Sequence, residues 1–373
     1  MYVWKRVWRE SKTTRKEDTA MSEQKTMRAA RLKAFHQPLV VEEVPMPVPG
    51  PDEALVKVMS SGLCLTDVHI QEGIIKSVHV PYTPGHEMAG VVVQLGRNVQ
   101  HKEIRIGQHV VCGIDITCGE CPLCRAGREN LCLHRIRIGF ERNGSHAEYA
   151  VVPYTNLFPI DEKIPFEQAA IIPDAVACML HAIKDQGQVG KGTRVLFYGT
   201  GALGLQGVQI AKWLGAEVYA SARTQAKLDK AAELGADVVI NTREKDLIEA
   251  LGGLTRGEMC DVVFDLVGQE DTLDMLLQCI RPGGKIIALA YAVEKFFINS
   301  QETVIKEKEI IGVRGSTTEN LRESIRLVEE GKVIPYISRR YQLDEINQAL
   351  DDLKASKSIG RSVITFTHDP VTG

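Results

Sequence analysis

The rhythm of apolar and polar positions changes twice along the chain. From Met27 to about residue 160, short strand-like runs such as ALVKVMSSG, MAGVVVQLG, QHVVCGI and HAEYAVVP alternate with Gly/Pro turns. Runs bounded in this way predict a mostly antiparallel β unit with long loops. The stretch TRVLFYGTGALGLQGVQIAKWLGA then reads as a buried strand, a glycine turn and a helix. EVYASA follows as a second strand, with a helix from about Gln225 to Leu234. ADVVIN, CDVVFDLVG and GGKIIALAY come next, with helical segments between some of them. Strands alternating with helices predict a parallel, doubly wound sheet. Near residue 315 the alternation stops. Helices from about Glu319 to Glu330 and Glu345 to Ala355 flank one strand and precede a last one, GRSVITF, so the tail is expected to return to the first unit. The fold class is therefore α/β plus β, divided into a tail (1–26), a β unit (27–175), a nucleotide-type unit (176–315) and a returning segment (316–373).

Composition narrows the partners. With 373 residues and 44% hydrophobic positions, the chain can bury two cores. Its net charge of -3 points to neither nucleic acid nor an acidic surface. No apolar run reaches the ~18 residues a membrane span needs. The first 26 residues are basic and lack an apolar h-region, which argues against a secretory signal. Glu10, Glu17 and Asp18 weigh against a mitochondrial presequence. The segment reads as a tail or as an early start with Met21 as the true one, and Trp4 and Trp8 are given no role. Nine cysteines without a secretory signal argue for metal rather than disulfides, and for the cytoplasm.

Chemistry concentrates at three places. Cys118, Cys121, Cys124 and Cys132 have the spacing that wraps one tetrahedral ion with no open position, a structural zinc. Their pattern differs from the common ferredoxin arrangement of an iron–sulfur site. A catalytic zinc needs three protein ligands and one open position. Cys64 in GLCLTDVH and His86 in PGHEMAG supply two, and Asp174 in IIPDAVACMLHA, at the junction of the two units, is the candidate third. The third place is Gly199-Thr-Gly201-Ala202-Leu203-Gly204, which follows a strand and opens a helix, the setting in which backbone N–H groups meet a dinucleotide pyrophosphate. About 20 residues on, a carboxylate would bind the ribose of NAD. Ala222 stands there instead, followed by Arg223 and, one helical turn later, Lys227. That favours NADP over NAD.

Cys64-x-Thr66-Asp67-x-His69, Gly85-His86-Glu87, the cysteine loop and the glycine turn, in this order and at these separations, make the chain resemble the zinc-dependent medium-chain alcohol dehydrogenases from about Met27 onward. The resemblance implies a GroES-like catalytic domain joined to a Rossmann domain, and one catalytic and one structural zinc per subunit. Pro173-Asp174 is similar to the NADP-dependent secondary alcohol dehydrogenases, which use aspartate as third ligand. The implied activity is the interconversion of a small-molecule alcohol with its aldehyde or ketone by hydride transfer to or from NAD(P). Thr66 and His69 are expected to move the proton, Glu87 to lie close behind the zinc, and Asp67 to orient His86. A homodimer or homotetramer is implied, with GGKIIALAY as an edge strand pairing across subunits. A specialised substrate (a polyol, an amino alcohol or a hydroxyacyl thioester) and a non-catalytic nucleotide sensor stay open as alternatives, while a zinc-free reductase should lack Cys64, His86 and the cysteine loop. Cys178 packs near the pocket; Cys112, Cys260 and Cys279 read as core. His36, His79, His101, His109, His134, His146, His181 and His368 lack ligand context.

Overall fold

The computed structural model describes residues 25–99, 104–291 and 295–366. Residues 1–24 with Trp4 and Trp8, and also His101 and His368, lie outside the described residues. Two sheets organise the rest. In the first, the strands run in the order Ile337–Tyr341, Arg361–Thr365, Glu53–Leu63, Glu87–Leu95, His109–Cys112 and Leu157–Pro159, and Tyr149–Pro153 also pairs with Glu53–Leu63. All these pairings are antiparallel except that between the first two strands. Its central strand, EALVKVMSSGL, is buried over most of both faces, which is why the run is more continuously apolar than a surface strand. The last strand of the chain thus lies against Glu53–Leu63, with Ser362 opposite Leu63. That register sets Arg361 beside Cys64.

The second sheet has six parallel strands in the order Val238–Asn241, Glu217–Ala222, Arg194–Tyr198, Cys260–Asp265, Ile280–Ala288 and Glu309–Gly312. Numbered along the chain, this is 3-2-1-4-5-6, the doubly wound order whose direction reverses between the first and fourth strands and opens a crevice at their carboxyl ends. GGKIIALAY is therefore interior, between Cys260–Asp265 and Glu309–Gly312. The expectation of an edge strand there is overturned. Ile286 and Ile287 are fully buried, as suits a strand covered on both faces, and the short EIIG segment forms the edge.

Between the sheets runs a continuous helical stretch, Phe166–Ala170, Ile172–Val176, Ala177–Leu180 and His181–Gln186. Two of these pieces are wide π-helical turns. Ala177, Met179, Leu180 and Ile183 belong to one cluster with Phe197, Leu205 and Val208 of the six-stranded unit and with Val111 and Phe158 of the other. One apolar core thus spans the junction. Helix Ala202–Trp213 closes over it, and Gln209 fastens the later chain by bonding both the N–H and the carbonyl of Ile334, at 2.8 and 3.1 Å. No helix among the described residues is long and apolar enough to cross a membrane.

Candidate active site

The junction brings together residues far apart in sequence. Cys64 precedes the short helix Leu65–Gln71 in extended backbone. Asp67 accepts the Cys64 N–H at 2.9 Å, so the turn that presents the thiol is closed by a side chain three residues on. His86 and Glu87 enter the strand Glu87–Leu95, and Asp174 sits in a π turn, a local widening frequent at functional sites. Donor atoms of Cys64, His86, Glu87 and Asp174 all lie within 4.8 Å of one another. Cys64 Sγ is 3.7 Å and His86 Nε2 3.9 Å from Asp174 Oδ2. Ligands about 2.0–2.3 Å from one tetrahedral ion stand roughly 3.3–3.8 Å apart, so a sulfur, a nitrogen and an oxygen at these separations fit zinc.

Charge at the site is balanced by groups the sequence did not single out. Arg361 is 4% exposed and grips both Glu87 oxygens, with Nε at 3.1 Å, and donates to Asp174 Oδ2. Burial opposes ionisation of the Asp174 carboxyl, but Arg361 and His86 hold it below the usual carboxylate range. Burial also opposes the Cys64 thiolate, but the same guanidinium together with His86 holds the thiol below its ordinary value. Arg361 itself stays cationic: burial disfavours its charge, but Cys64, Glu87 and Asp174 overcome that. The second unheralded residue is His146, fully buried, with Nδ1 2.9 Å from Ser61 Oγ and Nε2 3.7 Å from Asp67 Oδ1. Asp67 Oδ1 is also 3.5 Å from His86 Nδ1. Burial would raise the Asp67 carboxyl, but the two imidazoles hold it far below its ordinary value. Only the long-range pairing of strands brings Arg361 and His146 here, so no local signal marks them.

A cleft of about 930 Å³ opens on this cluster. Thr66 lines it, 3.4 Å from Cys64 Sγ. His69 lines it too, half-buried, its ring centroid 5.6 Å from that of Tyr291. Burial lowers the His69 pKa. Leu203 and the buried Cys178 reach the same cleft from the helices behind it.

At the glycine turn, Gly199 adopts φ +102°, and a Cβ on Gly204 would come within 2.3 Å of the Gly199 carbonyl. The helix can therefore start only on a bare backbone. Nothing lies within 4 Å of a Cβ built on Gly201, which leaves room at the N-terminus of Ala202–Trp213. Arg223 is exposed at the end of the second strand, and Lys227 is held below its ordinary pKa by burial and then by Arg223. Two cations thus sit close together where Ala222 offers no carboxylate.

The cysteine loop includes the short helices Pro122–Arg125 and Glu129–Leu131, and its Cys118 lines the same cleft. Its four sulfurs are mutually within 4.8 Å, and Cys118 Sγ is 3.5 Å from Cys132 and 3.9 Å from Cys124. Backbone N–H groups of Cys121, Cys118 and His134 point at sulfur at 3.4 Å. Donors so arranged stabilise thiolates, so this cage also fits zinc.

A nucleotide crevice and a sulfur–nitrogen–oxygen site facing one cleft define a metal-assisted oxidoreductase. Residues 50–162 match the alcohol dehydrogenase GroES-like domain and residues 202–330 the zinc-binding dehydrogenase family. L-threonine 3-dehydrogenase of Chromobacterium violaceum is 32% identical over 335 residues, 88% of this chain and 96% of that protein. The crystal structure of an NAD-dependent alcohol dehydrogenase superposes with TM-score 0.87 at 29% identity, covering 91% of this chain and all of that one. A structure described as a zinc-binding dehydrogenase of Sinorhizobium meliloti bound to NADP gives TM-score 0.85 at 31% identity, covering 92% and 100%. The chain belongs to the zinc-dependent medium-chain alcohol dehydrogenase family. It is a zinc-containing, NAD(P)-dependent oxidoreductase that interconverts an alcohol with its aldehyde or ketone.

Proposed function

We propose that Cys64, His86 and Asp174 hold the catalytic zinc, that the four cysteines hold a structural one, and that the enzyme prefers NADP. The observation that carries this is the convergence of donor atoms from Cys64, His86, Glu87 and Asp174 on the wall of a cleft shared with the glycine-turn helix. When bound, zinc supplies Lewis acidity and the nicotinamide carries hydride. The chain supplies the rest. Thr66 offers a hydroxyl beside Cys64 for the proton of a bound alcohol. His69, kept neutral by its half-buried setting, accepts that proton and passes it outward. Asp67 fixes the ring of His86 from behind and the Cys64 backbone at once. Glu87 lies within the donor cluster, yet both its oxygens are engaged by Arg361, which holds it back from the cleft side.

NADP preference rests on Arg223 and Lys227, which can pair with a 2′-phosphate where a carboxylate would repel it. Kinetics with NAD and NADP side by side, over a panel of alcohols and ketones followed at the nicotinamide band, test this reading. Arg223→Ala should shift the NADP/NAD ratio of kcat/KM by about 10-fold or more toward NAD. A parent enzyme that favours NAD would refute the assignment. The threonine dehydrogenase relative favours a specialised alcohol as a second reading, which the same panel resolves. Exposed Phe297, Ile298, Val304 and Ile305 lead up to the edge strand Glu309–Gly312, which supports a homodimer or homotetramer, measurable by light scattering. All nine cysteines are free, which supports a reducing, cytoplasmic setting.

A further inference from the structure

Three arginines, Arg135, Arg137 and Arg314, line the cleft that Cys64, His86 and Asp174 share. Two of them are neutralised. Arg314 meets both oxygens of Asp115, at 3.3 and 3.2 Å, and bonds the Asn130 carbonyl. Arg137 Nε lies 3.2 and 3.1 Å from the Glu141 oxygens, its Nη2 donates to Ser77 Oγ at 2.8 Å, and its guanidinium covers the Phe140 ring at 4.0 Å. Glu129, another carboxylate on this wall, accepts the Thr318 N–H at 2.7 Å. Arg135 forms no ion pair among the described residues, and the nearby carboxylates of Asp115 and Glu141 are bonded to Arg314 and Arg137. Its Nη1 reaches the Cys132 carbonyl at 3.4 Å, and its Nε is buried without a partner.

A partly desolvated cation with unspent donors is costly unless an anion meets it. A guanidinium fork matches a carboxylate or a phosphate through two parallel hydrogen bonds. We propose that Arg135 is the anion-recognition residue of the substrate cleft, so that the alcohol taken by this enzyme carries a carboxylate or phosphate group besides its reacting hydroxyl. The inference rests on the reading that this hydroxyl sits at Cys64, His86 and Asp174.

The test uses the zinc-loaded full chain and two substrate pairs, β-hydroxybutyrate with sec-butanol and glycerol phosphate with glycerol. The anionic member should have the higher kcat/KM in at least one pair, and the pair with the larger ratio identifies the group recognised. Arg135→Gln should shrink that ratio by about 10- to 100-fold, the worth of a hydrogen bond to a charged group. The variant should keep its zinc and melt close to the parent. Ratios near one in both parent pairs, or a ratio untouched by Arg135→Gln, would overturn the proposal. So would loss of zinc or a lower melting temperature in both Arg135→Gln and Arg135→Lys, which would assign Arg135 to the neighbouring cysteine loop. Calorimetric binding of β-hydroxybutyrate or inorganic phosphate separates the layers. Arg135-dependent binding without turnover of any alcohol would sink the dehydrogenase reading of the cleft and leave the anion site standing. Turnover of neutral alcohols without Arg135-dependent discrimination would do the reverse.

Discussion

The cysteine loop and the Cys64–His86–Asp174 cluster are both able to hold zinc, yet they are built on opposite plans. The loop draws four identical thiols from one stretch of chain and steadies them with backbone N–H groups. The cluster draws three different donor side chains from a helix start, a strand entrance and a π turn, and leans on a buried arginine from the far end of the chain. A local cage closes around its ion and leaves no position for a substrate. A dispersed site can keep one face open to a cleft, at the cost of requiring the rest of the fold to stay in place. The sharpest way to break this contrast is to remove one ligand from each. Cys64→Ser and Asp174→Ala should each abolish turnover and lose about one zinc per subunit while the fold survives. Cys121→Ser should instead lose stability by several kcal/mol, because zinc bound to a structural cage contributes directly to folding. Metal content by mass spectrometry, denaturant unfolding and activity on the same preparations decide it. Full activity and zinc content in Asp174→Ala would remove Asp174 from the ligand set.

The same contrast explains what could be read from residues alone. Ligands of the cysteine loop lie within 15 positions of one another, so their spacing is their geometry. The glycine turn is likewise local, and its strand-before and helix-after setting is visible in the apolar pattern. Arg361 is different. It lies 274 positions from Glu87 and 187 from Asp174, and it reaches them only because the last strand pairs with Glu53–Leu63. In the sequence it is one arginine ahead of an apolar run. His146 is similarly silent, because its meaning depends on Asp67 across the β unit. The strand GGKIIALAY is interior rather than at the edge for a related reason. Its apolar character reports burial on both faces, whereas edge position depends on whether a short later segment, EIIG, adds beyond it.

Arg361 offers the next largest effect. Removing one partner of a buried ion pair leaves the others uncompensated, which typically costs about 3–5 kcal/mol. Arg361→Met should therefore destabilise the fold by roughly that amount in denaturant unfolding. It should also weaken zinc binding at the cluster while leaving the cysteine loop's ion in place, since no cysteine of the loop touches it. Loss of both ions together would show that the two sites are coupled through the fold rather than independent.

The smallest effect belongs to His69, and it bears on the open face of the cluster. Burial lowers its pKa below the ordinary 6.5, so the neutral, proton-accepting imidazole persists to lower pH than a free histidine would allow. For alcohol oxidation, the acid limb of kcat should accordingly fall below pH 6.5, because protonation of His69 removes the acceptor. His69→Ala should lower kcat by up to about 10²-fold, the low end for loss of a general base, because water can partly replace an imidazole at the cleft mouth. The acid limb should flatten with it, while zinc content and melting behaviour stay those of the parent. A variant that kept the parent's limb would transfer the proton relay to another group and leave Thr66 as the last protein atom on the path.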